Sequence, residues 1–204
     1  MAVSRVSLSS ITQGFPKSRS FLDGNSAYDP AATWLIQRIT PTAGATSVSF
    51  TSIPSTYKHL QIRILSKDTY STSALASQNI IQLNGDTAAN YVYHTLTGNG
   101  TSAAASGATA ASNMIAFGNV DSATGQTSTF GAAIIDILDY ASTSKNKTIR
   151  SLSGADWNST STNQRIALTS GLWLSTAAVS SITINKDLTA FASGTTFALY
   201  GFTG

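Results

Sequence analysis

The stretch Leu60-Gln61-Ile62-Arg63-Ile64 constrains this chain more than any global property does. Aliphatic and polar side chains alternate strictly there. Only an extended strand with one buried face uses a period of two in this way. The pattern recurs along the chain. Trp34-Leu35-Ile36-Gln37-Arg38-Ile39 stops before Pro41, and Val48-Ser49-Phe50 precedes Ile53-Pro54. Ile80-Ile81-Gln82-Leu83 runs into Asn84-Gly85-Asp86, a turn signal expected to close a hairpin. Tyr91-Val92-Tyr93-His94 ends before Gly98-Asn99-Gly100, and Met114-Ile115-Ala116-Phe117 leads into a polar loop through Thr127. Phe130 to Leu138 is a long apolar run and the expected central strand. Lys147 to Leu152, Arg165 to Trp173, Val179 to Ile184 and Thr196 to Phe202 complete the set. About ten short strands with turn chemistry between them predict an all-β fold, an antiparallel β-sandwich or jelly-roll-like single domain over residues 34–204. Thr101 to Ser112 contains only Ala, Ser, Thr and Gly and reads as an exposed loop.

Composition supports the absence of helices. All nine acidic residues are Asp, and charged residues make up 10% of the chain against roughly 25% in ordinary soluble domains. Glu and Lys, which normally fill solvated helix faces, give way to Ser and Thr, which favour strands, caps and turns. With no cysteine, neither disulfides nor thiolate metal sites are available. At 204 residues the chain is long enough to bury a full core without them.

Residues 1–33 have a different character. Gly14, Pro16, Gly24 and Pro30 interrupt irregularly spaced Phe15, Phe21, Leu22 and Tyr28, matching no regular period. The segment is too apolar for a plain flexible linker and is expected to act as an extended arm that orders on another surface, a neighbouring subunit above all. Its expected contact residues are Phe15, Pro16, Lys17, Arg19, Phe21, Leu22 and Tyr28. Met1 to Ile11 lacks a continuous apolar core of the signal-peptide kind, and nothing approaches the ~18 apolar residues of a membrane helix. Assembly in a cytoplasm, without membrane association, is the expectation. Net charge is only +3, with Lys and Arg scattered rather than striped, which argues against nucleic acid as a partner.

Candidate chemistry is sparse. His59 and His94 stand in or beside predicted strands, in no metal-ligand spacing, and read as hydroxyl-bonded imidazoles near strand ends. Asp136 and Asp139 are the nearest acidic pair in the strongest strand. A three-residue spacing sends them to opposite faces, so they cannot form a glycosidase dyad within it. Asp136 is expected to form a buried hydrogen bond with Arg150 or Lys147 on a neighbouring strand, and Asp139 to open a turn. Asn84-Gly85-Asp86 carries too few carboxylates for calcium. Ser153-Gly154 and Ser170-Gly171 lack the preceding glycine of a nucleophile elbow, and Gly98-Asn99-Gly100 lacks a third glycine and a following helix. No catalytic residue, metal or cofactor is expected. Trp34, Trp157, Trp173, Tyr70, Tyr91 and Tyr93 could supply a sugar-stacking platform or an interface. Trp34 and Trp173 lie among aliphatics and read as core. Trp157, in the polar stretch Gly154-Ala155-Asp156-Trp157-Asn158, is the candidate loop contact.

Several segments resemble a group of small virion proteins of tailed bacteriophages, especially those of cyanobacteria and other aquatic bacteria. They are Ser10-Ile11-Thr12-Gln13-Gly14-Phe15-Pro16-Lys17, Leu83-Asn84-Gly85-Asp86, Ile137-Leu138-Asp139-Tyr140, Lys147-Thr148-Ile149-Arg150-Ser151, Ser170-Gly171-Leu172-Trp173 and Phe197-Ala198-Leu199-Tyr200-Gly201. The resemblance spans nearly the whole chain and implies a virion component, with no catalytic residues to carry over. The resulting expectation is a capsid decoration (cement) protein, a trimer whose arm lies along the major capsid protein or another virion subunit. Multivalent attachment would then hold it on the shell. One alternative places the fold on a tail fibre, with the loops around Gly98 to Ser112 and Trp157 reading host glycans. Another is a secreted carbohydrate-binding module or hydrolase, against which the lack of a signal-peptide core and of a carboxylate dyad counts.

Overall fold

The computed structural model describes residues 33–69, 78–117, 128–156 and 164–203, with backbone alone at 115–117. The expected arm, residues 1–33, lies outside the described residues with every contact residue assigned to it, except Thr33, which opens the first strand; Tyr70 and Trp157 lie outside them too. Within them the fold is all-β, in two antiparallel sheets. The strands are β1 (Thr33–Ile39), β2 (Ser47–Phe50), β3 (His59–Ser66), β4 (Asn79–Leu83), β5 (Tyr91–Gly98) and β6 (Ala103–Ala111). Then come β7 (Met114–Phe117), β8 (Gly131–Ile137), β9 (Lys147–Ala155), β10 (Arg165–Trp173), β11 (Ile182–Lys186) and β12 (Thr196–Phe202).

The larger sheet has the order β1-β12-β3-β8-β9-β10-β5-β6 and the smaller one β2-β11-β4-β7. Setting aside β5, β6, β9 and β10 leaves eight strands, which in chain order fall into sheets 1-8-3-6 and 2-7-4-5. That is the double Greek key of a jelly roll. The four remaining strands form hairpins β5–β6 and β9–β10, inserted between consecutive jelly-roll strands, and together they extend the larger sheet past β8 as a wing. The expected central strand is β8, fourth of the eight in its sheet.

The core lies where the two sheets face each other. Leu60, Ile62 and Ile64 of β3 point inward with Ile135 and Ile137 of β8 and Phe197 and Leu199 of β12. They meet Val48 and Phe50 of β2, Ile81 and Leu83 of β4, and Ile182 and Ile184 of β11. These are the apolar members of each alternating run, so the period-two pattern selects the correct face throughout the jelly roll. Glycine lets two elements approach closely at the sheet junction. A Cβ at Gly171 would stand 2.1 Å from Met114 Sδ, which brings β7 down onto β10.

Two expectations need correction. The stretch from Thr101 to Ser112 is not a loop, because Ala103–Ala111 forms β6, hydrogen-bonded to β5 at the margin of the larger sheet. Cross-strand pairing overrides the weak strand propensity of Ala, Ser and Gly. The Asn84-Gly85 turn closes no hairpin either. It is a tight turn, with Asp86 N donating to Leu83 O at 2.9 Å and positive φ at Asn84 (52°) and Gly85 (68°). The strands it joins, β4 and β5, belong to different sheets. Local chemistry specified the reversal but not which strand would pair with which.

Candidate interaction surface

In an ordinary antiparallel sheet, apolar side chains face the core and polar ones face water. The wing reverses this. Along β10 the inward residues include Ala167, Thr169 and Gly171, while Ile166 and Leu168 point outward. Along β9, Ser151 and Ser153 point inward and Leu152 outward; along β5, Thr95 points inward and Leu96 outward. The inward hydroxyls of Thr95 and Thr169 bond each other at 3.0 Å. Register sets the outward aliphatics side by side. Ile134 of β8 opposes Leu152, Leu152 opposes Leu168, Leu168 opposes Leu96, and Leu96 opposes Ala105 of β6. Exposures are 43% for Ile134, 50% for Leu152, 47% for Leu168 and 56% for Leu96, so an unbroken aliphatic row crosses five strands in contact with water.

Beside this row the sheet is hollowed. The next register row runs Ala132, Gly154, Ile166, Gly98, and its two glycines and one alanine leave space above the backbone. The result is a cavity of about 610 Å3, floored by that row and by Ile134 and Leu152. Arg63, Asn99, Asp156 and Arg165 stand at its margin, and none of its described lining residues is aromatic. On the other side of the aliphatic row is a polar one. Asp136 accepts from Arg150 Nη2 and from Gln61 Nε2, both at 2.9 Å, and Arg63 lies over the Tyr200 ring, 5.1 Å from its centroid. The expected Asp136–Arg150 pairing is present, on the exposed face rather than in the interior. Lys147 points the other way and is wholly buried. Its ammonium donates to three carbonyls, of Ser142 (2.7 Å), Lys145 (2.6 Å) and Thr176 (3.2 Å), and burial lowers its pKa.

The residues considered for chemistry do not converge. His59 and His94 are four strand spacings apart in the sheet, about 19 Å. His59 Nδ1 accepts from the Asp139 amide at 3.0 Å, so its partner is backbone rather than hydroxyl. Asp139, at φ 48°, opens a turn, and its carboxylate takes Lys145 at 2.7 Å and Lys58 at 3.3 Å, which hold its pKa below the usual carboxylate range. The aromatics scatter too. Trp173 and Tyr91 are buried, and both brace the Asn84-Gly85-Asp86 turn: Trp173 Nε1 donates to Asp86 Oδ2 at 2.7 Å, and the Tyr91 hydroxyl accepts from Leu83 N at 2.9 Å. Trp34 is half-buried on β1, across the sheet. No sugar-stacking platform is assembled among the described residues. Nor, among them, do three or more His, Asp or Glu side chains gather where a metal could bind, and no helix is long and apolar enough to cross a membrane.

The outward row escaped sequence reasoning because alternation alone does not say which parity faces the core. A signal was nonetheless present. In Arg165–Trp173 the in-register set Ala167, Thr169, Gly171 is small or polar, and only the final Trp173 marks it as the buried one. Fold and surface together define a jelly-roll sandwich with an apolar-faced wing. Comparison with known protein families, with curated proteins and with solved structures returns no match.

Proposed function

We propose that the chain is a non-catalytic virion structural protein of a tailed phage, a capsid decoration protein that docks on other virion subunits. The reading is supported by one observation above the rest, the inverted polarity of the wing. Leu152, Leu168 and Leu96 stand in water, in line with Ile134, while Ser151, Ser153, Thr169 and Thr95 occupy the inward positions next to them. Covering a half-exposed leucine contributes about 1 kcal/mol, so a row of four gives useful adhesion without a deep pocket. Hydroxyl-rich, charge-poor composition makes that adhesion insensitive to salt, as suits attachment to a particle. Residues 1–33 serve in this proposal as a second, independent grip, with Phe15, Phe21 and Tyr28 as anchors. The virion is then the site of action and the major capsid protein the principal partner.

The test is rebinding of purified full-length chain to particles stripped of it, with copy number measured by mass spectrometry. Hundreds of copies per particle and loss of binding in the double variant Leu152→Glu/Leu168→Glu, with unchanged thermal unfolding, are the expected results. A copy number of a few or tens moves the protein to the tail, where host glycans become the expected ligand. Undiminished binding by both that variant and a chain lacking residues 1–33 sinks the proposal.

A further inference from the structure

Each sheet ends in two edge strands, whose outer backbone N–H and C=O groups are a template for another strand. The four edges here are guarded unequally. β2 and β7 are four residues each, too short to offer much. β1 has seven residues but carries Arg38 and a bulge between Leu35 and Gln37, two common devices against edge pairing. β6 has nine residues, Ala103–Ala111, and none of these guards over its first two-thirds. No Lys, Arg, Asp, Glu or Pro occurs from Thr95 to Asn119. The regular pairing with β5 runs from Ala103 to Ala108, and the irregularity comes only after it, near Ala110 at φ 54°. All residues of the strand except Ala108 and Ala111 are exposed, so both faces are open.

We infer that β6 pairs antiparallel with β6 of a second copy of this chain, joining two larger sheets across a twofold axis. The occupant follows from the strand's own chemistry. Residues directly opposite in such a pairing share a face, and every in-register combination over Ala103–Ala108 sets Ala, Ser or Gly against Ala, Ser or Gly. Without charge there is no like-charge repulsion, the usual obstacle to a strand meeting itself. An axis perpendicular to the sheet keeps the outer faces on one side. The Ile134, Leu152, Leu168, Leu96, Ala105 rows of both copies then lie on the same face of the joined sheet. A threefold ring would instead need β6 against a different edge, and β1 is the one long enough, with its bulge and arginine in the way.

Analytical ultracentrifugation of the full chain across a concentration series tests this. The expected species is a dimer that the double variant Ala103→Lys/Ala105→Lys shifts to monomer without changing the thermal unfolding midpoint, since both positions are exposed. The native chain has no cysteine, so Ser106→Cys gives an unambiguous second readout, an intermolecular disulfide at the strand centre under mild oxidation. That readout also decides the matter should the lysine variant fail to fold. A parent chain that stays monomeric or forms trimers overturns the inference, as does a folded lysine variant that remains dimeric or a Ser106→Cys chain that never crosslinks. Dimerisation and particle rebinding are separate measurements, so loss of one leaves the other reading standing.

Discussion

Asp86 ties the Asn84-Gly85 turn to two other parts of the chain. Its carboxylate accepts from Trp173 Nε1 (2.7 Å), Asn90 Nδ2 (2.9 Å) and Ala88 N (2.9 Å), and the Asn90 and Trp173 bonds lower its pKa below 3.8. Replacing it with Ala strips a buried indole N–H of its acceptor and should cost about 1–3 kcal/mol. Because the folded pKa is depressed, this stabilisation is present above the unfolded value and lost as pH falls through the folded one. Melting curves of parent and Asp86→Ala should therefore converge as pH falls through the depressed titration of this carboxyl, and a constant gap would show that the carboxylate's charge is irrelevant. Lys186 works at the alkaline end. It is fully buried against Asp68 at 3.4 Å, and desolvation lowers its pKa from 10.5 to about 8. Between those values the unfolded chain binds more protons than the folded one, so this group makes stability rise with pH. Tyr91 opposes it higher up. Burial pushes its hydroxyl from 10.0 to about 12, so its contribution is complete below pH 10 and fades above. An alkaline stability maximum near pH 10 follows. Lys186→Met should abolish the rise, because it removes the buried group that titrates in that window. Chemical denaturation at stepped pH reads both effects.

At the scale of elements, the alternating and apolar runs made several strands legible nearly to the residue: Leu60 to Ile64 within β3 and Phe130 to Leu138 around β8 in the jelly roll, Arg165 to Trp173 as β10 in the wing. What alternation left open was partnership and face. Asn84-Gly85 announced a reversal, yet Tyr91 and Trp173, far from each other in sequence, fix that turn so that the chain changes sheets. Ala103–Ala111 carried no apolar pattern at all, and only its neighbour β5 makes it a strand. Lys147, an expected partner for Asp136, is instead wholly buried on the opposite face, where three carbonyls from two loops satisfy its ammonium. Of the candidate surface, the sequence marks the stretch from Gly98 to Ser112, as a loop, and not the outward aliphatics of β8, β9 and β10. Gly171 shows how tightly two elements can be matched. Gly171→Ala should destabilise by about 1–3 kcal/mol through its clash with Met114, and Met114→Ala should suppress part of that loss. Additive losses in the double variant would show that the two residues do not press on each other.

The molecule as a whole divides into a closed eight-strand sandwich and a four-strand wing, and the proposed roles fall on the wing. Glutamates at Leu152 and Leu168 should leave the unfolding midpoint within a few degrees of the parent while abolishing attachment, because both side chains already meet water. The same burden placed at Ile135 or Ile184, which are fully buried, should unfold the protein outright. The β5–β6 hairpin turns at Asn99–Ser102, where the Asn99 side chain accepts from Thr101 N and Ser102 N. It leaves the jelly roll after β4 and returns before β7, so its tip lies at the end of a detour. A foreign peptide spliced between Gly100 and Thr101 therefore lengthens an excursion rather than splitting a core strand. Such a chain should fold and, if it is a shell component, carry its cargo into the light in as many copies as the particle holds.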